Sequence, residues 1–361
     1  MAKTNQVKVK AKAKASEHPP SPIKQSNYAQ GVLEGILEAV GEGGAQLLGS
    51  DGLAIKIKGV ISTQCPTIDA AIGRGGIPRS RLTIIHGAEG SGKTTLALHI
   101  VAETQRLGGV AVYLDKEYKL DPEYAANIGV DTSSLVIAQP PYLERAFQTF
   151  EGVIDRAAKL REGGKRVPIL IVLDSMNAAI TKAQYEGEWE DKHMAPQARV
   201  YSELLPKLMP KISKEDVALL WISQVRKKMN VMFGDDNEIA GGNAPKFYAS
   251  LIMDVGRRAS NVKDGQKIGN KIEVHCKKNQ IAPPFRKAQC EIIYGKGIDK
   301  EAALIEQATA DGIVTRSGSW YAWGDDRLGQ GLASAADNLR SNEALAQKLL
   351  KEVEQANKWE R

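Results

Sequence analysis

The run Gly87-Ala88-Glu89-Gly90-Ser91-Gly92-Lys93-Thr94 has the spacing GxxxxGKT, and its residue types suit one task, the capture of phosphate. Glycines let backbone N–H groups turn inward on an anion, and a helix starting at the end of the loop adds its positive terminus. Lys93 would reach the β- and γ-phosphates of a nucleotide and the Thr94 hydroxyl would ligate Mg²⁺, with Thr95 beside them in the first helical turn. The flanks are those the loop needs. Leu82-Thr83-Ile84-Ile85 before it has strand character, and Leu96, Ala97, Ile100 and Val101 after it share a helix face.

Hydrolysis also needs a metal carboxylate and a group that orients water. Asp174 ends the apolar run Ile169–Leu173, which is typical of a central parallel strand covered on both faces. On a strand beside the phosphate loop it would face the Mg²⁺ shell; otherwise it caps a helix. Asp115 and Glu117, just past the strand-like Val110–Leu114, could each orient or deprotonate the attacking water, and spacing leaves both open. Gln224 closes another apolar strand, Val217–Ser223. It either touches the γ-phosphate and reports it by ordering the loop that follows, or is a surface glutamine at a strand end.

That following loop carries Arg226, Lys227 and Lys228 for phosphates, and Met229, Val231, Met232 and Phe233 to wedge between bases or stack on them. An exposed cluster of this kind is costly without a partner, and Gly234, Gly241 and Gly242 would keep the loop mobile. An earlier polar stretch, Glu186–Arg199, holds His193 and Arg199 but four acidic residues as well, and is as well read as a linker.

The elements that must position these groups alternate along the chain. The 361 residues are 42% hydrophobic and 25% charged with a net charge of +6, ordinary soluble composition compatible with a polyanionic partner. No apolar run approaches the ~18 residues of a membrane span. The Lys-rich start lacks an apolar secretory core, and three cysteines without metal spacing fit a reduced cytoplasm. Residues 1–27 read as a disordered basic arm, and 28–54 as an amphipathic helix (Val32, Leu33, Ile36, Leu37, Val40) with a linker. Residues 55–298 read as an α/β core whose sheet is mostly parallel, with strands at 55–61, 250–256, 271–277 and 287–293. Residues 299–361 read as a small appended region with helices at 300–310 and 341–356, the second capped by Ser341.

Side by side, these segments resemble the bacterial RecA-type recombinases across roughly residues 55–335. Beyond the phosphate loop the resemblance rests on Asp115-Lys-Glu117-Tyr-Lys-Leu-Asp121-Pro, Leu170–Ser175, Glu186-Gly-Glu with Asp191-Lys-His-Met194, and Ile222–Arg226 with Val231–Gly234. Gly241–Ser250, Lys278–Phe285 and Ser319-Trp-Tyr321 with Gly329-Gln-Gly331 extend it. It implies a RecA-like ATPase core, a small C-terminal α/β domain, and an enzyme that binds ATP and Mg²⁺. The implied partners are single-stranded DNA, homologous double-stranded DNA, further copies in a helical filament, and single-strand-binding and loader proteins. Glu117 matches the family's catalytic glutamate. Asp121 and Tyr124 match residues that hold the adenine, and Gln224 the γ-phosphate sensor.

The two loops match the family's DNA-binding loops. Met194, Arg199, Arg226, Lys227, Lys228, Phe233, Gly241, Gly242 and Asn243 fall on them. Lys246 and Phe247 match a protomer contact, and Lys278 a residue that reaches the neighbour's ATP. Gln280 stands where the family has a second lysine, Pro206 where it has a basic residue and Ile252 where it has an interface arginine, and the final helix is mixed in charge where the family carries an acidic tail. The resemblance is thus to a divergent member of the kind a phage or mobile element carries. A hexameric helicase-type motor and a non-recombining ATP-dependent DNA-binding regulator are the alternative readings.

Overall fold

Apolar strands alternating with amphipathic helices build one large sheet, and the direction of its strands decides where polar groups can gather. The computed structural model describes residues 22–41, 45–47, 57–164, 167–188, 196–227, 237–263 and 265–359. Two compact units divide the chain, Met1–Lys56 and Ile57–Arg361. The first contains α1 (Pro22–Val40), whose Tyr28, Val32, Ile36 and Val40 recur every four residues and are exposed.

The second unit opens with β1 (Val60–Ile61), α2 (Pro66–Ile72) and β2 (Ile77–Pro78). Then come β3 (Leu82–Gly87), α3 (Lys93–Arg106), β4 (Val110–Asp115), α4 (Pro122–Ile128) and β5 (Val136–Ala138). They are followed by α5 (Leu143–Glu162), β6 (Ile169–Asp174), α6 (Lys182–Glu186), α7 (Pro196–Lys214) and β7 (Val217–Gln224). β8 (Arg226–Lys227) and β9 (Asn237–Glu238) pair as a short stem, and α8 (Ala244–Tyr248) leads into β10 (Ala249–Lys263), β11 (Gln266–Asn279), β12 (Lys287–Ile293) and β13 (Gly297–Ile298). The last stretch holds α9 (Lys300–Ala310), a three-stranded sheet of β14 (Thr315–Ser317), β15 (Trp320–Trp323) and β16 (Asp326–Gln330), then α10 (Leu332–Ser341) and α11 (Glu343–Ala356).

The main sheet has nine strands in the order β13-β12-β11-β10-β3-β7-β6-β4-β5. From β10 to β5 every pairing is parallel, and from β10 to β13 every pairing is antiparallel. Both faces are covered, which is why the central strands β6 and β7 are apolar until their carboxyl ends, with Thr83 and His86 on β3 as buried polar exceptions. On β6, Leu170 and Val172 join the core under α3, while Ile169, Ile171 and Leu173 join the core under α5 and α7. β7 divides the same way, with Trp221 packed among Phe147, Phe150 and Tyr201 at ring separations of 5.4–6.1 Å. Each such side chain contributes about 1.5–3 kcal/mol by leaving water. A third core, including Ile305, Ala308, Leu339, Leu349 and Val353, lies within the C-terminal stretch.

Several expectations change. β6 is not beside β3, because β7 lies between them. The basic arm loses its last six residues to α1, which starts at Pro22, a residue suited to the first helical position because its missing N–H has no partner there anyway. Of the expected strand at 55–61, only Val60–Ile61 pairs, while residues 55 and 56 lie outside the described set. α7 runs on through Pro206 and Pro210, which sit four residues apart on its exposed side. Asn342, not Ser341, caps the last helix by accepting the Leu345 N–H, and α10 was not anticipated. No described helix is long and apolar enough to cross a membrane.

α3 is tied to the far end of the sheet by a buried histidine. The His99 Nε2 accepts the Ile298 N–H at 2.8 Å and Nδ1 faces Gln64 Oε1 at 3.0 Å, which sets the neutral tautomer with its proton on Nδ1. Burial, helped by the Lys300 charge, depresses its pKa to about 3. The folded value lies below the unfolded ~6.5. This contribution to stability is therefore complete above pH 6.5 and is lost as pH falls from there toward 3, by up to about 1.4 kcal/mol per unit. Denaturant melts between pH 7.5 and 4.5 are expected to show a shallower acid loss for His99→Leu than for the wild type. Parallel slopes would exclude this link.

Candidate functional site

Parallel strands deliver their carboxyl ends to one edge, and four of those ends carry the expected chemistry: Gly87 on β3, Gln224 on β7, Asp174 on β6 and Asp115 on β4. Register aligns them, with Gly87 opposite Gln224 and Asp115 opposite Asp174. The loop after β3 needs glycine at two points. A Cβ on Gly87 (φ +157°) would lie 2.1 Å from the Val255 carbonyl oxygen, and one on Gly92 (φ +96°) would lie 2.4 Å from Ile292 Cδ1. Ala88 accepts the Ser91 N–H, and the Lys93 ammonium folds back to donate to the Ala88 carbonyl at 2.7 Å. Burial pulls the Lys93 pKa down, and the charges of Asp174, Glu117 and Glu89 oppose that. Ser91 Oγ is buried with no hydrogen-bond partner among the described residues, an acceptor-seeking hydroxyl inside the loop.

Thr94 Oγ1 donates to Asp174 Oδ2 at 2.9 Å, and the Tyr113 hydroxyl donates to the same oxygen at 2.6 Å. The contact reaches past the intervening strand because α3, which follows β3, also packs against β7 and β6. Burial raises the Asp174 pKa; the hydrogen bonds from Tyr113 and Thr94 pull it back down, and Glu117 and Asp115 push it up. The Tyr113 hydroxyl is held well above its ordinary value, by burial first and then by Asp174. One carboxylate and one hydroxyl suit Mg²⁺, which keeps waters and phosphate oxygens in most of its coordination positions. No group of three or more His, Cys, Asp or Glu that could hold a metal occurs among the described residues.

The two carboxylates after β4 do different things. Asp115 accepts the N–H groups of Glu117, Tyr118 and Leu120 at 2.8–3.2 Å and so shapes the turn. Glu117 Oε1 accepts Ser175 Oγ at 2.6 Å and Gln224 Nε2 at 3.2 Å, and its Oε2 lies 3.4 Å from the Lys119 ammonium. Asp121 caps α4, accepting the N–H groups of Glu123 and Tyr124. The Tyr124 hydroxyl meets Thr95 Oγ1 at 2.8 Å.

A cavity of about 230 Å³ is lined by Gly90–Thr95 and Tyr124, and also by Asn270, Ile272, Ile292 and Tyr294. The last four escaped sequence reading because they come from β11, β12 and the turn after it, nearly 200 residues after the loop; only the register that sets Asn270 opposite Ile292 brings them there. Asn177 was also missed. Its side chain grips both backbone groups of Gln224, accepting the N–H at 2.7 Å and donating to the carbonyl at 3.2 Å.

The loop after β7 is closed at its base. Ser223 Oγ accepts the Ala240 N–H at 3.1 Å, and β8 pairs with β9. Lys228 and Phe233 lie outside the described residues, as does Met194, while Arg226 and Lys227 are described in backbone only. Arg199 is on α7, exposed and paired with Glu203 at 2.9 Å. Gly241 and Gly242 do not serve mobility: a Cβ on either would press Tyr201 at 2.5 Å or Ala198 at 2.9 Å, so they allow a close approach to α7. Asn243 precedes α8 and its carbonyl accepts the Phe247 N–H; the Phe247 residue is three-quarters exposed. The Lys278 ammonium donates to the Lys246 and Phe247 carbonyls of its own chain at 2.9 and 3.0 Å.

The family model described as the RecA N-terminal domain matches residues 28–299, and that described as the RecA C-terminal domain matches residues 302–358. Among curated relatives, Protein RecA of Chlorobium limicola is 42% identical over 335 residues, covering 92% of each chain. Protein RecA of Syntrophobacter fumaroxidans is 41% identical over 318 residues (88% of this chain, 90% of the relative), and that of Aquifex aeolicus 43% identical over 313 residues (84% and 88%). With family matches over residues 28–299 and 302–358, the chain belongs to the RecA family of recombinases.

Proposed function

We propose that the chain is a DNA-dependent ATPase that polymerises on single-stranded DNA, searches homologous duplex and exchanges strands in recombinational repair in the cytoplasm, aided by single-strand-binding and loader proteins. The observation that carries this reading is the Gln224 side chain. Its amide donates to Glu117 in the nucleotide site while its backbone opens the loop that holds Arg226, Lys227, Lys228 and Phe233. A change at the phosphate end is therefore felt one bond from the DNA loop.

In this mechanism the Gly87–Thr94 amides and Lys93 hold the triphosphate, and Tyr124 offers a ring for the base beside Asp121. Mg²⁺ held by Thr94 and Asp174 would neutralise charge on the phosphate oxygens during transfer. Glu117 takes the proton of a water that attacks the γ-phosphorus; the bond to the bridging oxygen breaks, and ADP leaves with that electron pair. Gln224 gives up Glu117 for the γ-phosphate, and the change passes through its backbone to the residues proposed to grip DNA: Met194, Arg199, Arg226, Lys227, Lys228, Phe233, Gly241, Gly242 and Asn243. Loss of the phosphate reverses this and releases DNA.

Three observations support self-assembly. The exposed stripe of α1 lacks cover among the described residues of its unit. The edge strand β5 exposes Val136 and Ile137, a template for another chain. Phe247 projects beside Lys246, and Lys278, released from its own carbonyls, would reach a neighbour's nucleotide.

Lys93→Ala is expected to abolish both ATP turnover and D-loop formation, and D-loops at the wild-type level would refute the scheme. Glu117→Gln should lower turnover by about 10²–10⁴-fold while keeping nucleotide affinity within a few-fold, measured by fluorescent-ATP titration. Gln224→Ala should retain ATP binding but lose the ATP-dependent gain in affinity for single-stranded DNA; an undiminished gain would remove Gln224 from the coupling. Electron microscopy of Phe247→Ala should show shorter filaments.

A further inference from the structure

The Glu117 carboxylate is held unequally. Oε1 is saturated by Ser175, which is fully buried, and by Gln224 on the end of β7. Oε2 meets Lys119 alone among the described residues, at 3.4 Å. An ionised carboxylate oxygen has room for two donors, so Oε2 is the oxygen with capacity left to take a proton, and Lys119 occupies part of it. The turn makes this contact by construction. Asp115 gathers the amides of Glu117, Tyr118 and Leu120, and Tyr118 adopts a left-handed backbone (φ +57°), which returns the residue after it toward Glu117.

The two ends of the pair also differ in freedom. The Lys119 side chain is 72% exposed and that of Glu117 21%, so the lysine moves while the glutamate stays. Other charges around the carboxylate come from fixed elements: Lys93 on α3, Asp174 on β6 and Asp115 on β4.

We propose that Lys119 is a brake on hydrolysis: a positioning residue whose ammonium occupies Glu117 Oε2 and keeps the attacking water from that oxygen. This rests on the reading of Glu117 as the general base. An exposed side chain exchanges between paired and free states far faster than turnover, so the brake scales the rate by the unpaired fraction and does not stop it. For a largely exposed pair that scaling is roughly two- to five-fold, or about 0.4–1 kcal/mol at 1.36 kcal/mol per decade.

The test is DNA-free ATP hydrolysis by the full chain, with kcat and KM measured separately. Lys119→Met should raise kcat two- to five-fold with KM for ATP unchanged within two-fold, and Lys119→Gln should do the same. Lys119→Arg, which keeps the charge, should restore the wild-type rate. In a Glu117→Gln background Lys119→Met should have no effect. An unchanged or lowered kcat in both neutral variants, with Glu117→Gln inactive, would overturn the brake and leave the base assignment standing. Full turnover by Glu117→Gln would overturn the base assignment and the brake with it.

Discussion

Five consecutive parallel pairings, from β10 through β5, impose the constraint from which the site follows. Strands that run the same way must all end at one edge, and strands buried on both faces have no other place for polar side chains. The carboxylates of Asp115 and Asp174, the amide of Gln224 and the start of the phosphate loop therefore converge. The antiparallel extension β11–β13 has a different effect: it folds back beside the loop and supplies Asn270, Ile272, Ile292 and Tyr294 as a wall of the cavity.

The edge is wired by short polar links. Thr94 joins α3 to Asp174, Ser175 joins the end of β6 to Glu117, and Gln224 joins Glu117 to β7. Asn177 fixes the Gln224 backbone, and Ser223 fixes the return of the loop at Ala240. This division is what a sensor needs, because the backbone of Gln224 is anchored while its side chain is bound only at 3.2 Å to a carboxylate. Three carboxylates, Asp174, Glu117 and Glu89, surround Lys93, which favours the arrival of further cations, while burial first, and the Glu117 and Asp115 charges after it, leave Asp174 more easily protonated than an ordinary aspartate.

The proposed trans role of Lys278 gains a structural setting. Its ammonium is parked on two carbonyls at the end of α8, next to the exposed Phe247, so engagement of Phe247 by another copy and release of Lys278 would be one local event. Gln280, where the resemblance leads one to expect a second lysine, donates its backbone N–H to the Ser250 carbonyl and adds no charge there.

Much of this was legible in the residues. The GxxxxGKT spacing, the unbroken apolar runs ending in Asp174 and Gln224, and the period of the helices determined a phosphate loop in an α/β core, since these depend on local backbone preference and on burial of both sheet faces. What residue spacing left open lies in partners distant in the chain. Asp115 faces its own turn amides, whereas Glu117 faces Ser175 and Gln224, residues some 60 and 110 positions away. Strand order placed β7 between β3 and β6, and register recruited Asn270 and Tyr294; neither leaves a trace in local pattern, because pairing partners in a sheet are selected by the packing of the whole layer. Gly241 and Gly242 looked like flexibility and are close packing against α7. A glycine reads the same in either role, and only the neighbour that fills the space of its absent side chain tells them apart.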